Sequence, residues 1–333
     1  MEKRKLREIE VSEIGMGCMG FSHGYGQIPD RDYSVRAIRD AFEYGCTFFD
    51  TAEVYGNVLY YEGHNEEILG KAVKDFRKDT VLATKLHIRD NELTPGYDLY
   101  EVLKKHLAAS MKRLGTVYVD LYYLHRVHPL VPVEQAADAM GKLIRDGLIR
   151  GWGLSQVSGE TLRKADAVTP VAAVQNLYNM LERDCETDIF PYCLEKGIGV
   201  VPFSPIASGF LSGKLSGVSQ FEKNDDVRNW VPQLSQENMD GNRPIIELIE
   251  KFAAEKGATN AQIALSWMLY KYKNCVPIPG SKNRERIMEN LRASEYPLTR
   301  EEFDALDSAL GKMKVYGHRG HIEMQGTAHK NHS

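Results

Sequence analysis

The sequence is poor in cysteine and has no long apolar run, and each shortage excludes a class of protein. Its five cysteines are odd in number, scattered along 333 residues and without a Cys-x-x-Cys pair. Reduced thiols are therefore predicted rather than a disulfide framework. No stretch of about 18 apolar residues occurs, so no membrane-spanning helix is expected. The opening Met-Glu-Lys-Arg-Lys-Leu-Arg-Glu also lacks the apolar segment of a secretory signal, and together with reduced thiols this favours a cytoplasmic location.

Net charge is small as well. A formal charge of −4 gives the whole chain no basis for binding nucleic acid. Hydrophobic residues make up 43% of the chain, which supports a substantial core. The expected partner is a small molecule, and no feature of the sequence indicates an oligomeric state.

Short apolar runs alternate with helical patterns through most of the chain. The strand candidates are residues 11–17, 47–50, 80–84, 117–124, 149–154, 171–175, 199–203 and 275–278. The helix candidates between them are residues 33–44, 65–73, 98–113, 133–145, 158–165 and 188–195. Eight such units without a low-complexity linker predict one closed α/β barrel of the (β/α)8, or TIM barrel, type, with residues 1–315 as a single domain.

Two segments depart from this alternation. Residues 204–244 are rich in Pro, Gly, Ser and Asn, and a loop of this length is predicted to be functional and to lie at the top of the barrel. Helices at 243–254 and 260–271 should follow it, the second with an N-cap signal at Thr259. Residues 316–333 are Gly-rich and polar, like a mobile terminal tail. Their histidines have no compact ligand spacing, so no metal site is predicted.

Four chemically active residues lie at the ends of successive strand candidates: Asp50, Tyr55, Lys85 and His125. In a parallel barrel the C-terminal ends of the strands meet at one mouth. Reduction of a carbonyl group by a nicotinamide needs a proton donor, and a tyrosine of pKa about 10 is a weak acid for this purpose. A lysine cation lowers the pKa of the phenol, a carboxylate holds the lysine, and a histidine polarises the carbonyl.

Each of these residues also has an ordinary structural interpretation. Asp50 and Lys85 could form a structural ion pair, Tyr55 could be a loop aromatic, and His125 a hydrogen-bonded core histidine. Because all four follow strands of one predicted barrel, their joint occurrence favours catalysis.

The segment from Gly15 to Gly20 fits the pattern G-x-G-x-x-G, which in a Rossmann unit marks dinucleotide binding. There a helix opens at once and an acidic residue ends the next strand about 20 residues later. Here Gly24, Gly26 and Pro29 delay the helix, and Asp50 lies 30 positions beyond Gly20. The barrel is therefore preferred to a Rossmann domain.

Several motifs resemble the aldo-keto reductase family. They are Asp-Thr-Ala-x-x-Tyr at 50–55, Ala-Thr-Lys at 83–85 and Tyr-Tyr-Leu-His at 122–125, with supporting stretches at 25–26, 124–127, 238–242, 261–267 and 277–280. The likeness extends over nearly the whole chain and is greatest to a subgroup of bacterial, fungal and plant NADPH-dependent reductases. It implies a (β/α)8 barrel, NADP(H) bound in an extended pose, and reduction of an aldehyde or ketone. Proton donation is assigned to Tyr55, its support to Lys85 and Asp50, and carbonyl orientation to His125.

The resemblance also implies a set of cofactor-binding residues. Ser155, Gln156 and Gln175 match groups around the nicotinamide carboxamide, although relatives usually have Asn or Glu in place of Gln156. Phe203 matches the ring on which the nicotinamide stacks. The remaining implied residues are Gly17, Met19, Ser204, Pro205, Ile206, Ser208, Gly209, Leu211, Lys214, Ile278, Gly280, Ser281, Lys282, Arg286, Glu289 and Asn290.

Phosphate groups have two expected sites within this set. Backbone N–H groups of the loop 204–214 suit the pyrophosphate, and the start of a helix after Gly280 suits another anion. Ser281 and Arg286 would meet the adenosine 2′-phosphate, and Glu289 and Asn290 would meet the adenine. Some relatives carry a lysine where this chain has Gly280, and Lys282 is expected to compensate.

The implied substrate pocket is apolar and aromatic, which suits a modest hydrophobic carbonyl compound. Its expected lining, besides Met19 and Tyr55, is Phe21, Tyr25, Val54, Leu86, Arg126 and Trp230. Arg126 could bind an acid or phosphate group on the substrate, or it could instead form a structural salt bridge. In some relatives the C-terminal segment folds over the substrate, so the tail could serve as a lid.

Two other functions remain open. The same four residues could oxidise a sugar or polyol. The protein could also be a cofactor-binding regulatory subunit, like the β-subunits of potassium channels, because a fold does not fix a function.

Overall fold

The computed structural model describes residues 1–215, 217, 221 and 225–319. The strands are β1 (Lys3–Leu6), β2 (Ile9–Ser12), β3 (Met16–Gly17), β4 (Phe48–Asp50), β5 (Val81–Leu86), β6 (Val119–Leu124), β7 (Ile149–Ser155), β8 (Ala173–Gln175) and β9 (Gly199–Val200). The helices are α1 (Arg31–Glu43), α2 (His64–Val73), α3 (Leu99–Leu114), α4 (Val133–Arg145), α5 (Gly159–Val168), α6 (Ile189–Lys196), α7 (Gln236–Gly241), α8 (Arg243–Lys256), α9 (Asn260–Lys271), α10 (Arg284–Leu291) and α11 (Arg300–Leu310).

Seven parallel strands, β3 to β9, are hydrogen-bonded in sequence order. The predicted eighth strand, residues 275–278, closes the sheet. On one side Val276 N donates to Val200 O (2.7 Å), and on the other Gly15 N donates to Pro277 O (2.9 Å). The predicted α/β barrel is therefore confirmed. No Rossmann unit forms at Gly15–Gly20, because β3 runs into a short 3-10 turn and α1 begins only at Arg31.

The prediction of one strand over residues 11–17 was wrong. Residues 3–12 form the antiparallel hairpin β1–β2, and the first barrel strand is only Met16–Gly17. Both segments have alternating apolar residues, so the sequence pattern does not separate them. The hairpin packs against the barrel interior, where Leu6, Ile9 and Val11 join the inner core.

Alternation along the strands separates two cores and sets the direction of the functional side chains. Phe48 belongs to the inner core of the barrel, whereas Phe49 packs outward against the helices. The same alternation places Ala83 and Tyr123 inside. Residues two positions further along, at the carboxyl ends of their strands, therefore point into the mouth of the barrel.

The long segment 204–244 was predicted as a loop, and this was wrong in part. It contains α7, and Ser235 Oγ accepts a hydrogen bond from Asn238 N at the start of that helix. The capping signal at Thr259 is confirmed, because Thr259 and Gln262 cap α9 reciprocally. All five cysteines are free and buried. Among the helices of the described residues, none is both long and apolar enough to span a membrane.

Candidate active site

Asp50, Tyr55, Lys85 and His125 gather at the carboxyl end of the barrel. Asp50 ends β4, Lys85 lies near the end of β5, His125 follows β6, and Tyr55 lies on the loop after β4. Lys85 Nζ donates to Asp50 Oδ1 (2.5 Å) and to Tyr55 Oη (3.3 Å). The rings of Tyr55 and His125 meet edge to face, with centroids 5.7 Å apart. The structure thus places the four predicted residues within one cluster.

The Lys85 ammonium is fully buried and has three oxygen acceptors, since the carbonyl of Thr51 also accepts from it (2.7 Å). Burial opposes its charge, but Asp50 and Tyr55 more than compensate, so the pKa of Lys85 is raised. Burial also raises the pKa of the Asp50 carboxyl, and Lys85 opposes that rise. Asp50 accepts a second hydrogen bond from Gln175 Nε2 (2.9 Å). With two donors, Asp50 is held as a carboxylate next to a cation.

Tyr55 and His125 are both neutral at physiological pH. Burial raises the pKa of Tyr55, and the Lys85 cation opposes this increase without cancelling it. The expected lowering by Lys85 is therefore present, but the net direction is upward. Burial lowers the pKa of His125 well below its ordinary value, and Lys85 lowers it further. Tyr55 is thus a protonated donor, and His125 is a neutral imidazole.

Further polar side chains adjoin this cluster, and sequence reasoning missed two of them. The ring of His87 lies 4.4 Å from that of His125, and the ring of His23 lies 6.1 Å from that of Tyr55. Burial lowers the pKa of His87 to about 4, so this ring is neutral. The signal for His87 was its position two residues after Lys85, on the same face of the chain. His23 lies on an irregular loop and has no such signal.

The residues matched to the nicotinamide also lie at this mouth. Ser155 ends β7 and Gln175 ends β8. The side chain of Gln156 is already used, because its Oε1 accepts from Leu177 N (2.8 Å). Gln156 also has a left-handed backbone (φ 53°), a conformation that is costly outside glycine and concentrates at functional sites. Phe203 is partly exposed at the edge of the inner core, as a stacking surface requires.

The loop after β9 contains several residues with a left-handed backbone. Ser204, Ala207, Ser208 and Gly209 all have left-handed φ angles, and turns of this kind aim successive N–H groups at one point. Ser208 Oγ is buried with no hydrogen-bond partner among the described residues. An orphaned polar atom beside such a turn fits a phosphate group.

The remaining loop residues divide between surface and core. Lys214 forms an ion pair with Glu289 (3.3 Å), which links the loop to α10. Leu211 is fully buried in the core and Pro205 is buried, whereas Ile206 is partly exposed. Leu211 can therefore meet a ligand only through its backbone.

The start of α10 offers one open cation. Asn283 Oδ1 caps the helix by accepting from Arg286 N (2.9 Å), and Ser281 Oγ accepts from Asn283 N (3.1 Å). Arg286 is exposed, and within the described part of the chain no carboxylate lies within ion-pair distance of it. Asn290 is buried. Lys282 differs from expectation, because its ammonium donates to the carbonyls of Tyr25 (2.7 Å) and Gln27 (2.5 Å).

Gly17 and Gly280 lie where the barrel closes. They are bridged to each other, and a Cβ on Gly17 would lie 2.9 Å from Ile278 O. Gly17 is thus required by close backbone packing, and Ile278 is buried in the inner core. Met19 is partly exposed on the turn after β3.

The predicted substrate residues fall into three groups. Phe21 and Leu86 are fully buried in the outer core, among the residues that pack against the helices. Tyr25 and Val54 are partly exposed near the mouth, and Trp230 is 73% exposed. The alternation of β5 explains Leu86, since a residue next to the inward-facing Lys85 points outward.

Arg126 is the charged residue of the predicted lining, and it is partly exposed. Its Nη1 donates to the carbonyl of His125 (2.5 Å) and to Ser155 Oγ (3.2 Å). Arg126 forms no salt bridge with any described residue, so the structural ion pair considered for it is not observed. The charge of Arg126 is thus unpaired among the described residues.

The first residues of the C-terminal tail pack against this end of the barrel. Tyr316 exchanges two backbone hydrogen bonds with the side chain of Asn242 (2.8 and 2.9 Å). Arg319 is only 8% exposed, its guanidinium lies 5.7 Å above the ring of Phe203, and it also donates to Ser204 Oγ. The predictions of mobility and of no metal for the rest of the tail, residues 320–333, lie outside the described residues.

The chain is similar in sequence to known oxidoreductases of one family. Residues 13–310 match the model of the Aldo/keto reductase family. A probable aldo-keto reductase 1 from Glycine max is 36% identical over 319 residues, which cover 93% of this chain and 89% of that protein. The chain is therefore an oxidoreductase by class, and it belongs to the aldo/keto reductase family.

Two solved structures show the same fold. The glycerol dehydrogenase AKR11B4 of Gluconobacter oxydans has a TM-score of 0.81 at 28% identity, covering 93% of this chain and 95% of its own. An aldo/keto reductase of Klebsiella pneumoniae, solved with NADP and acetate, has a TM-score of 0.71 at 26% identity, covering 96% and 99%.

Proposed function

We propose that this protein reduces an aldehyde or ketone to the corresponding alcohol with NADPH, and that Tyr55 donates the proton. The observation that carries this proposal is the phenol of Tyr55, placed 3.3 Å from a fully buried lysine cation and beside a neutral histidine at the barrel mouth. A neutral phenol next to a fixed cation can release a proton at the moment when charge develops on a carbonyl oxygen.

Each of the four residues has a distinct task. When bound, NADPH supplies the hydride that adds to the carbonyl carbon. Tyr55 gives its proton to the carbonyl oxygen, and Lys85 stabilises the phenolate that is left. Asp50 keeps Lys85 charged and fixed in position. His125, being neutral, orients the carbonyl oxygen through a hydrogen bond without competing as an acid.

The residues of this chain fit the proposed cofactor. The left-handed turn at 207–209 suits the pyrophosphate, since the Ser208 hydroxyl has no hydrogen-bond partner in the described part of the chain. Arg286, which has no ion-pair partner there, suits the 2′-phosphate. Phe203 and Ser155 would hold the nicotinamide end. The NADP complex of the Klebsiella pneumoniae relative supports this choice of cofactor.

The reverse reaction is a second candidate. The glycerol dehydrogenase of Gluconobacter oxydans has a TM-score of 0.81, and its name describes oxidation of a polyol. Because the same proton donor serves both directions, Tyr55 would then accept a proton from the alcohol. The ratio of kcat/KM for aldehyde reduction to that for glycerol oxidation, measured at saturating cofactor, distinguishes the two.

The test compares two Tyr→Phe variants of one loop. Tyr55→Phe keeps the ring but removes the proton donor, and should lower kcat for a reactive aromatic aldehyde about 10²- to 10⁴-fold. Tyr60→Phe is the matched control, because Tyr60 is exposed on the same loop. NADPH affinity, measured by tryptophan fluorescence, should change little in either. If Tyr55→Phe retains more than about a tenth of wild-type kcat, the assignment of the proton donor is wrong. If the wild type binds NADPH tightly but reduces no aldehyde on a broad panel, a regulatory role is favoured instead.

A further inference from the structure

The guanidinium of Arg126 is placed to bind a ligand rather than to hold the fold. Its two protein acceptors both bond to a single nitrogen, Nη1: the carbonyl of His125 and the hydroxyl of Ser155. Nε and Nη2 have no acceptor among the described residues, and neither is sealed from solvent. Three of the five N–H donors of this side chain are thus open to the barrel mouth.

The charge of Arg126 has no counter-ion within the described part of the chain. The buried carboxylates of this region are engaged elsewhere: Asp50 accepts from Lys85 (2.5 Å) and Glu53 from His106 (2.7 Å). Burial lowers the pKa of Arg126; Tyr55 opposes this lowering and Arg319 adds to it. A half-buried guanidinium without a carboxylate is costly unless something else compensates it.

The surroundings increase the positive potential at this point. Arg319 reaches the same region from the C-terminal segment, where its guanidinium lies over Phe203 and donates to Ser204. His87 and His125 are neutral and add hydrogen-bonding groups rather than negative charge. Glu182, the carboxylate that raises the pKa of Arg319, already accepts hydrogen bonds from Arg319 N and from Gln233. Two guanidinium groups at the barrel mouth, with no unpaired carboxylate beside them among the described residues, attract an anion.

We infer that the substrates of this protein are aldehydes or ketones that carry a carboxylate or phosphate group a few atoms from the carbonyl, and that Arg126 binds this anionic group. The inference rests on the proposed function, since it assigns the substrate class of the same site. Arg126 directly follows His125 in sequence and lies near Tyr55. The carbonyl oxygen at Tyr55 and an acidic group at Arg126 would therefore belong to one short molecule. A planar guanidinium binds either anion through paired hydrogen bonds.

The first experiment measures the preference for charge with matched substrates. Succinic semialdehyde is compared with butanal for a carboxylate, and glyceraldehyde 3-phosphate with glyceraldehyde for a phosphate. The measured quantity is the ratio of kcat/KM for the anionic compound to that for its neutral partner. In wild type at least one ratio should exceed about 10, because charge-assisted hydrogen bonds contribute to binding. The pair with the larger ratio identifies the anion.

Variants assign this preference to Arg126. Arg126→Met should lower the ratio about 10- to 100-fold, mainly through KM. Arg126→Lys keeps the positive charge but loses the planar guanidinium, so its ratio should fall between those of wild type and Arg126→Met. Arg89→Met is the control, because Arg89 is an exposed arginine at the same end of the barrel, paired with Glu62 (2.5 Å). It should leave the ratio unchanged.

A binding measurement keeps the inference testable apart from turnover. Succinate and succinamide are titrated by calorimetry into wild type and Arg126→Met, each saturated with NADP⁺. Succinate should bind more tightly than succinamide to wild type, and the difference should disappear in the variant. Two results would overturn the inference and leave the proposed function standing. In the first, wild type reduces the neutral aldehydes as efficiently as their anionic partners. In the second, wild type and Arg126→Met bind succinate equally well. If wild type reduces neither member of any pair, the proposed function fails, while succinate binding still decides the role of Arg126.

Discussion

The buried pair of Lys85 and Asp50 should support both stability and catalysis, and two variants separate these contributions. The side chain of Asp50 is only 4% exposed. When Lys85 is replaced by Met, the Asp50 carboxylate keeps the hydrogen bond from Gln175 but loses its cation. Removing one partner of a buried ion pair typically costs about 3–5 kcal/mol. Total stabilities are about 5–15 kcal/mol, so this loss is large. The double variant Asp50→Asn/Lys85→Met removes both charges and should regain at least about 2 kcal/mol of that loss.

Activity should not follow stability in this pair of variants. Neither protein has a cation beside Tyr55, so both should lose at least about 10²-fold in kcat for an aromatic aldehyde. The free energy of unfolding is measured in urea without cofactor, because a ligand that binds only the folded state would add to it. In Lys85→Met the native pKa of Asp50 rises further above its unfolded value. The native state of this variant then binds more protons than the unfolded state. Its loss of unfolding free energy relative to wild type should therefore be larger at pH 8 than at pH 5. Wild-type stability in Lys85→Met, or equal stability of the single and double variants, would refute the buried ion pair.

Two further predictions concern the cofactor and the support of the site. Arg286→Ala should weaken NADPH about 10- to 100-fold more than NADH, because a charge-assisted contact to the 2′-phosphate is lost; equal weakening in fluorescence titrations would place Arg286 away from that group. His106 lies between Glu53 (2.7 Å) and Glu92 (2.8 Å), and although burial opposes its charge, these carboxylates raise its pKa. Its contribution to stability is complete below the ordinary pKa of about 6.5 and is lost as pH rises through the raised value. The stability difference between wild type and His106→Gln should therefore shrink from pH 6 to pH 9 in urea unfolding, and a constant difference would show that the charge on His106 contributes nothing.

Asp50, Lys85 and His125, which the structure brings together as the sequence predicted, share one property: strand periodicity fixes the direction of their side chains. Asp50 and Lys85 both close apolar runs, and alternation with Phe48 and Ala83 points them into the barrel. His125 follows Tyr123 in the same way. Because parallel strands bring such positions to one mouth, local pattern was enough to predict a long-range cluster.

The features that the sequence did not predict depend on contacts between distant segments. The β1–β2 hairpin has the same alternating pattern of apolar residues as the barrel strand β3 that follows it. The two differ in their pairing, since β1 pairs with β2 and β3 pairs with β4. Lys282 was matched to a phosphate by position, but its ammonium reaches the carbonyls of Tyr25 and Gln27, more than 250 residues away. Arg319 reaches Phe203 from a segment that is anchored by Tyr316 to Asn242 and by Arg319 N to Glu182. Such pairings leave no trace in local composition.

Gln175 shows how the cofactor end and the catalytic end of this site are joined. Its Nε2 donates to Asp50 Oδ2 (2.9 Å), and Asp50 Oδ1 accepts from Lys85. A glutamine amide has one donor group and one acceptor oxygen. With the donor oriented by Asp50, the acceptor Oε1 is the atom that would receive the amide N–H of a nicotinamide carboxamide. The hydrogen bond between Gln175 and Asp50 therefore has two effects. It holds the Asp50 carboxylate in place, and it orients the Gln175 amide that would bind the nicotinamide carboxamide. Any change at Asp50 should consequently alter cofactor position as well as the acidity of Tyr55, whereas Tyr55→Phe should alter only the proton transfer.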